Sequence, residues 1–285
     1  MGAWPAKLLL FGEYTVLLKG EALAIPLRQR TGSWSASADQ HPALLPWAEW
    51  LVQLDRTGRL PWPIRVQEFV RFLREGGGFA SNIPTGYGLG SSGALVAALV
   101  HTYGSGIPED PDLLARGLAL LESYFHGSSS GLDPLISLTG SAIYRDEAAQ
   151  YQKVDQSSLP GGLFLVDSGQ PRQTAPLVRI FHQKLEQEGE RTMLLMDLMP
   201  QVHRAIHATL SGEIVPFHDA FSAISRMQAK LFSDMIPEAL HNIWEGPHHR
   251  LKLCGAGGGG YFLGLSSSGQ MPELPFPVIP LTDLV

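Results

Sequence analysis

Apolar residues fall along this chain in short blocks whose spacing changes with position. Residues 6–18, Ala-Lys-Leu-Leu-Leu-Phe-Gly-Glu-Tyr-Thr-Val-Leu-Leu, read as two short strands bent at Gly12, because β-forming apolar runs flank a chain breaker. Residues 22–37 predict more strand, ending in the alternating Ser33-Trp34-Ser35-Ala36-Ser37. Helical spacing runs through 47–75, interrupted around Gly58 and Pro61-Trp62-Pro63 and closed by Gly76-Gly77-Gly78. A Gly-rich turn then leads into an apolar helix from Ala94 to Tyr103.

Asp110 followed by Pro111 is a helix start, an N-cap acceptor with proline in the first turn, and Leu114, Leu118, Leu121 and Phe125 make its buried stripe. Residues 162–167 predict a short buried strand. Helical patterns dominate from Glu188 to Trp244, broken near Gly212 and Pro216. Residues 251–254 and 261–265 read as strands around a glycine run. A β-rich, mixed first half and a helix-rich second half predict an α+β protein with a soft boundary near residues 155–162.

Composition narrows the function classes. The 285 residues, 44% hydrophobic, suffice for one large domain or two small ones with a packed core. A net charge of -6 and a pI near 5.9, with no Lys/Arg run, argue against nucleic acid or an anionic membrane as the main partner. The single Cys254 rules out an internal disulfide and a zinc knuckle, as expected of a protein working in a reducing cytoplasm. Leu8-Leu9-Leu10-Phe11 is too short for a secretory core, and no run approaches the ~18 apolar residues of a membrane span.

The 31 glycines are concentrated in a few clusters. Pro84-Thr85-Gly86-Tyr87-Gly88-Leu89-Gly90-Ser91-Ser92-Gly93-Ala94 runs straight into a helix. Glycines let a backbone approach a ligand closely, and a helix start offers unpaired N–H groups and partial positive charge, so the segment suits a phosphate. It is not a Walker A loop, since Ala94 stands where Lys-Ser/Thr would follow. A tight strand-to-helix turn with ordinary capping is the alternative.

Glu122 sits at the edge of the Leu114–Phe125 stripe, where a carboxylate is costly unless paired or bound to a metal. With the Ser92 hydroxyl it makes a plausible magnesium set, since magnesium takes one or two carboxylates plus phosphates and waters. Asp133, beyond a flexible turn, is a candidate base for a substrate hydroxyl. A solvated Glu122 and an Asp133 that only caps a turn are the plainer readings. Gly127-Ser128-Ser129-Ser130-Gly131 matches a hydrolase elbow by letter, but a helical stripe precedes it and Asp133-Pro134 follows, which reverses the required context. Gly255-Ala256-Gly257-Gly258-Gly259-Gly260 matches a dinucleotide fingerprint, yet strand rather than helix follows. It reads either as a glycine hairpin or as a backbone surface packed against a phosphate loop. His203 and His207, at i and i+4, lack the glutamate of a zincin motif and read as a solvated helix face, with His248-His249 in a polar turn.

Taken together, these blocks resemble the GHMP small-molecule kinases. Residues 6–13 look like that family's N-terminal motif, 84–94 its phosphate loop and 253–260 its C-terminal glycine motif. Glu122 to Gly127 with Ser130-Gly131-Leu132-Asp133 is most similar to mevalonate kinases, as is Asp167-Ser168-Gly169 followed by Arg172 and Thr174.

The resemblance implies a two-domain GHMP kinase fold, with a ribosomal-protein-S5-like domain at 1–158, a ferredoxin-like domain at 159–285 and the site in a cleft. It implies ATP and Mg2+ as cofactors and mevalonate or a similar small alcohol as acceptor. Asp133 would be the catalytic base, with Lys7 beside it stabilising the carboxylate and the developing alkoxide. Ser92 and Glu122 would hold magnesium, and Gly86, Gly88, Leu89, Gly90, Ser91, Ser92 and Gly93 would cradle the phosphates. Glu13, Thr174 and Gly257 would face the substrate.

There are departures. Tyr14 stands where mevalonate kinases usually carry His, and with Glu13 it resembles phosphomevalonate kinases, as does Gly93 in place of the commoner Ala. Ser129 occupies a position usually held by Pro. A phosphomevalonate acceptor, another GHMP acceptor or a catalytically silent nucleotide-binding homologue are the alternatives, and a homodimer is left open.

Overall fold

The computed structural model describes residues 2–36, 42–155 and 159–285. Ser37, at the end of the expected strand, and Ser158, at the expected domain division, lie outside them. The chain forms two compact units, one of residues 1–7, 26–84 and 90–141, the other of residues 8–25, 85–89 and 142–285. Two strands, β1 (Trp4–Phe11) and β2 (Ala22–Ser35), contribute to both. The architecture is α+β, as the element pattern predicts.

In the first unit, β3 (Gly78–Ser81) runs antiparallel to the end of β2, with Trp34 opposite Phe79. Helices α1 (Leu44–Arg56) and α2 (Val66–Arg74) occupy the expected helical stretch, parted where Gly58 and Pro61 break it. Trp34, Phe69, Phe79 and Tyr103 pack ring to ring at 5.1–6.5 Å, and fully buried Trp47 donates its indole N–H to the Leu121 carbonyl at 3.3 Å. Helix α3 (Ser91–Tyr103) is apolar all round and buried from Gly93 to Val100, as a helix at the centre of a core must be. It begins three residues before the expected Ala94, so Ser91, Ser92 and Gly93 form its first turn. Helix α4 (Pro111–His126) starts as predicted, the Asp110 carboxylate accepting from the Asp112 and Leu113 N–H groups at 3.0 and 2.9 Å.

Helix α5 (Leu132–Thr139) differs from the sequence expectation, which has Asp133 following a flexible turn and no helix there. Its signal was present: Leu132, Leu135 and Ile136 repeat at i, i+3 and i+4 between left-handed Gly131 and Gly140.

In the second unit, β4 (Ala142–Arg145) pairs antiparallel with Ala22–Ala24 of β2 and with β5 (Tyr151–Val154). Strands β6 (Leu163–Asp167), β7 (His249–Leu253), β8 (Tyr261–Ser266) and β9 (Val278–Pro280) build an antiparallel sheet in the order β7-β8-β6-β9. Helices α6 (Thr174–Leu185), α7 (Glu188–Thr192), a π-helical turn at Met193–Leu198, α8 (Met199–Ser211), α9 (Ile214–Leu231) and α10 (Glu238–His241) complete it. Gly212 caps α8, as expected, but Pro216 does not break the chain. It lies in the first turn of α9, where a missing N–H costs no helical bond. The second strand expected beyond Gly12 is instead a 3₁₀ turn, Thr15–Leu18. Tyr14 at φ 63° reverses the chain there, and the Thr15 and Val16 N–H groups bond back to Glu13 and Gly12. Among the described residues no helix is long and apolar enough to cross a membrane.

Candidate functional site

Four polar side chains of the first unit, from four different elements, form two contacts. Lys7 lies on β1, where almost every side chain is buried, and is only 8% exposed. A buried ammonium needs a partner, and Lys7 Nζ finds Asp133 Oδ1 at 2.9 Å. The alignment comes from docking of α5 against β1: the Ser137 hydroxyl, one turn beyond Asp133, donates to the Pro5 carbonyl at 2.7 Å in a buried bond.

Gly93 makes this approach possible, since a Cβ there would meet the Asp133 carbonyl carbon at 2.7 Å and the Pro134 nitrogen at 2.8 Å.

The second contact joins α3 to α4. The Ser92 hydroxyl donates to Glu122 Oε1 at 2.9 Å, with Glu122 only 4% exposed. The other oxygen, Oε2, accepts from the Ser129 hydroxyl at 2.5 Å, and His126 Nε2 lies 3.0 Å from Ser92 Oγ. Burial pushes the Glu122 carboxyl up to about 7. The neighbouring Asp133 charge adds to that, while the Ser129 and Ser92 hydrogen bonds and Lys7 oppose it. Excess negative charge in a buried setting of hydroxyl and carboxylate oxygens is what a hard divalent cation relieves. Among the described residues no three His, Cys, Asp or Glu side chains are grouped to hold a metal. A cation here would therefore rest on one carboxylate, a hydroxyl and oxygens from elsewhere.

The glycine loop places Gly86, Gly88 and Gly90 at φ 78°, 71° and 70°, and Leu89 between them is buried. Gly90 precedes α3, whose N-terminus carries no side-chain cap, so the first-turn N–H groups of Ser91, Ser92 and Gly93 have no side-chain acceptor. In the second unit, residues 86–88 of this loop meet Arg172. Its N–H bonds the Gly86 carbonyl at 2.8 Å. Its guanidinium lies over Gly88, Nη2 falling 1.6 Å from where a Cβ would sit, and donates to the Cys254 carbonyl at 2.8 Å. The C-terminal glycine run packs on the same loop: Gly260 lies against the Tyr87 backbone, and the Tyr87 and Tyr261 rings are 5.2 Å apart. The run thus both joins the paired strands β7 and β8 and packs on the glycine loop.

The residues expected to face the substrate are placed differently from one another. Thr174 is exposed at the first turn of α6, and Gly257 is buried. Glu13 is 2% exposed and paired with Lys252, itself fully buried, at 2.5 Å. Lys252 spends its other protons on the Leu10 and Leu253 carbonyls at 2.8 and 2.7 Å. Burial raises the Glu13 carboxyl, opposed chiefly by Lys252. Lys252 holds Oε1 only, and the buried Oε2 of Glu13 has no hydrogen-bond partner among the described residues. Tyr14 donates to the Ala256 carbonyl at 2.7 Å and stacks on Phe181 at 4.6 Å.

Of the histidines, His207 and His248 are exposed as expected, His203 is half-buried, and His249 departs from the expected polar turn. His207 Nε2 lies 3.1 Å from buried Glu21, and His203 Nδ1 lies 3.3 Å from Glu147. His249 is buried on β7, with Nε2 2.9 Å from the Ile243 carbonyl. Sequence reasoning missed Ser129 and His126 as neighbours of the Glu122–Ser92 pair, and Lys252 as partner of Glu13. Two of these carried a signal: His126 stands four positions after Glu122 on one helix face, and Ser129 is a hydroxyl seven positions from Glu122 across a glycine turn.

Comparison with known proteins follows the same lines. The family described as GHMP kinases N terminal domain matches residues 65–141. The mevalonate kinase of Archaeoglobus fulgidus is 28% identical over 286 residues, covering 97% of this chain and 95% of that protein. Among solved structures, L. major mevalonate kinase in complex with R-mevalonate superposes with a TM-score of 0.63 at 18% identity, over 94% of this chain and 89% of that one. Streptococcus pneumoniae phosphomevalonate kinase in complex with phosphomevalonate and AMPPNP gives 0.65 at 17% identity, over 93% and 91%.

Proposed function

Because this chain belongs to the GHMP kinases, we propose that it transfers the γ-phosphoryl group of ATP to the hydroxyl of mevalonate, giving 5-phosphomevalonate and ADP. The observation that carries this reading is the ion pair of Lys7 with Asp133 at 2.9 Å, in the same unit as the Ser92–Glu122 contact at 2.9 Å. A carboxylate of the type that can accept a hydroxyl proton stands beside a fixed cation, which is what an alcohol nucleophile requires.

Asp133 takes the proton of the acceptor hydroxyl as its oxygen forms a bond to the γ-phosphorus and the bond to the ADP oxygen breaks. Lys7 orients that carboxylate and stabilises the developing alkoxide. The first-turn N–H groups of α3, with the loop from Gly86, hold the phosphates of ATP. Ser92 and Glu122 would hold Mg2+. When bound, that ion neutralises phosphate charge and fixes the phosphates for in-line transfer. Arg172 sets the loop at Gly86 and Gly88.

A second reading, phosphomevalonate as acceptor, draws on Glu13-Tyr14 and Gly93, which match phosphomevalonate kinases. ADP release measured with mevalonate, phosphomevalonate, homoserine and galactose separates the two. Turnover with mevalonate supports the first reading, and turnover only with another acceptor refutes it.

A further inference from the structure

Ser129 lies in the 127–131 turn, which the proposed chemistry leaves unused, and its hydroxyl is engaged both as donor and as acceptor. It donates to Glu122 Oε2 at 2.5 Å and accepts from the Gly131 N–H at 2.9 Å. A serine hydroxyl has one proton to give, so donation to the carboxylate and acceptance from the amide fix its rotamer. Glu122 is left with Oε2 tied and Oε1 directed at Ser92. Gly131, at φ 76°, is the residue from which α5 starts, and Asp133 is the second residue of that helix. One hydroxyl thus joins the carboxylate that would bind the cation to the start of the helix that carries the base.

We infer that Ser129 is a positioning residue, aiming Glu122 at the metal side of the site and registering the first turn of α5 against α4. The inference rests on the assignment of Glu122 to the cation. The hydrogen bonds of the Ser129 hydroxyl go to Glu122 and Gly131, not to the Lys7–Asp133 pair. Ser129 acts through Glu122, as hydrogen-bonded partners of ligating carboxylates do, and loss of such a partner typically weakens metal affinity 10–100-fold. Cysteine is nearly isosteric but a weak donor, whereas threonine keeps the hydroxyl.

The test is direct cation binding to the full chain in the presence of ADP, with Mn2+ as the paramagnetic probe, read by electron paramagnetic resonance beside a melting curve. Ser129→Ala and Ser129→Cys are expected to weaken Mn2+ binding by about 10-fold or more, and Ser129→Thr to restore it. If Ser129→Ala fails to fold, the cysteine variant carries the comparison. Wild-type affinity in the alanine or cysteine variant, while Glu122→Gln loses binding, overturns the role of Ser129 and leaves the Glu122 assignment standing. Unchanged binding in Glu122→Gln overturns both.

Discussion

Gly93→Ala is a one-carbon change that separates the position of the base from everything else in the site. The added Cβ would sit 2.7 Å from the Asp133 carbonyl carbon, 2.8 Å from the Pro134 nitrogen and 2.9 Å from the Asp133 Cβ. Ordinary contact begins at 3.4 Å, so the shortfall is roughly 0.7 Å. The obstructing atoms are backbone or bonded to it, so no side-chain rotation relieves the clash and the first turn of α5 must move. Overpacking of this kind costs about 1–3 kcal/mol, while alanine in place of glycine inside a helix returns about 1 kcal/mol. Net stability should therefore fall by no more than about 2 kcal/mol, a few degrees in melting temperature.

Turnover should fall further than stability. Displacing a reacting group by about 1 Å costs on the order of 100-fold, so a decrease of roughly 10- to 100-fold is expected. The assay is ADP release at saturating ATP and mevalonate, alongside thermal melting by circular dichroism. Nucleotide binding should be largely kept, because the Cβ points at Asp133. Wild-type turnover with a raised melting temperature would mean that helix propensity decides the outcome and that the α3–α5 approach does not place the base.

Asp133→Asn should lower turnover at least ~100-fold with nucleotide binding retained, measured by ADP release and by titration of a nonhydrolysable ATP analogue. Lys252→Met leaves the Glu13 carboxylate buried without its partner and should cost about 3–5 kcal/mol in urea unfolding, whereas Lys252→Met with Glu13→Leu should recover much of that loss. Glu122, raised to about 7 against an ordinary 4.5, binds its proton more tightly in the folded, cation-free chain than in the unfolded one. That contribution, up to about 3 kcal/mol, is fully present below pH 4.5 and lost as pH rises through 7. Urea midpoints from pH 5 to 8 should show this decline, and Glu122→Gln should flatten it.

Legibility of the chain followed the range of the interactions. The Asp110-Pro111 helix start was readable because a side chain bonds the amides two and three residues on. The place of Glu122 at the edge of the Leu114–Phe125 stripe was readable because the stripe fixes the helix face, but its burial was not, a solvated carboxylate being the plainer reading. Gly12 signalled a bend, yet what followed depended on Tyr14 adopting a left-handed φ, which side-chain pattern does not encode. Helix α5 was short enough that its three apolar positions were outweighed by the surrounding serines and glycines. The contact of Glu13 with Lys252, 239 positions apart, left no local trace, whereas the pairing of Ser92 with Glu122, 30 apart, was expected from magnesium's preference for hydroxyl and carboxylate oxygens. The meeting of Lys7 and Asp133 was expected through the family resemblance, not through any property of either segment.

The most direct measurement is a crystal structure of the chain with a nonhydrolysable ATP analogue, Mg2+ and mevalonate. The terminal hydroxyl of mevalonate should lie within hydrogen-bond reach of the Asp133 carboxylate, about 2.6–3.2 Å, and face the γ-phosphorus in line with its leaving oxygen. A hydroxyl bound away from Asp133, or phosphates lying away from the amides of residues 88–93, would contradict the account.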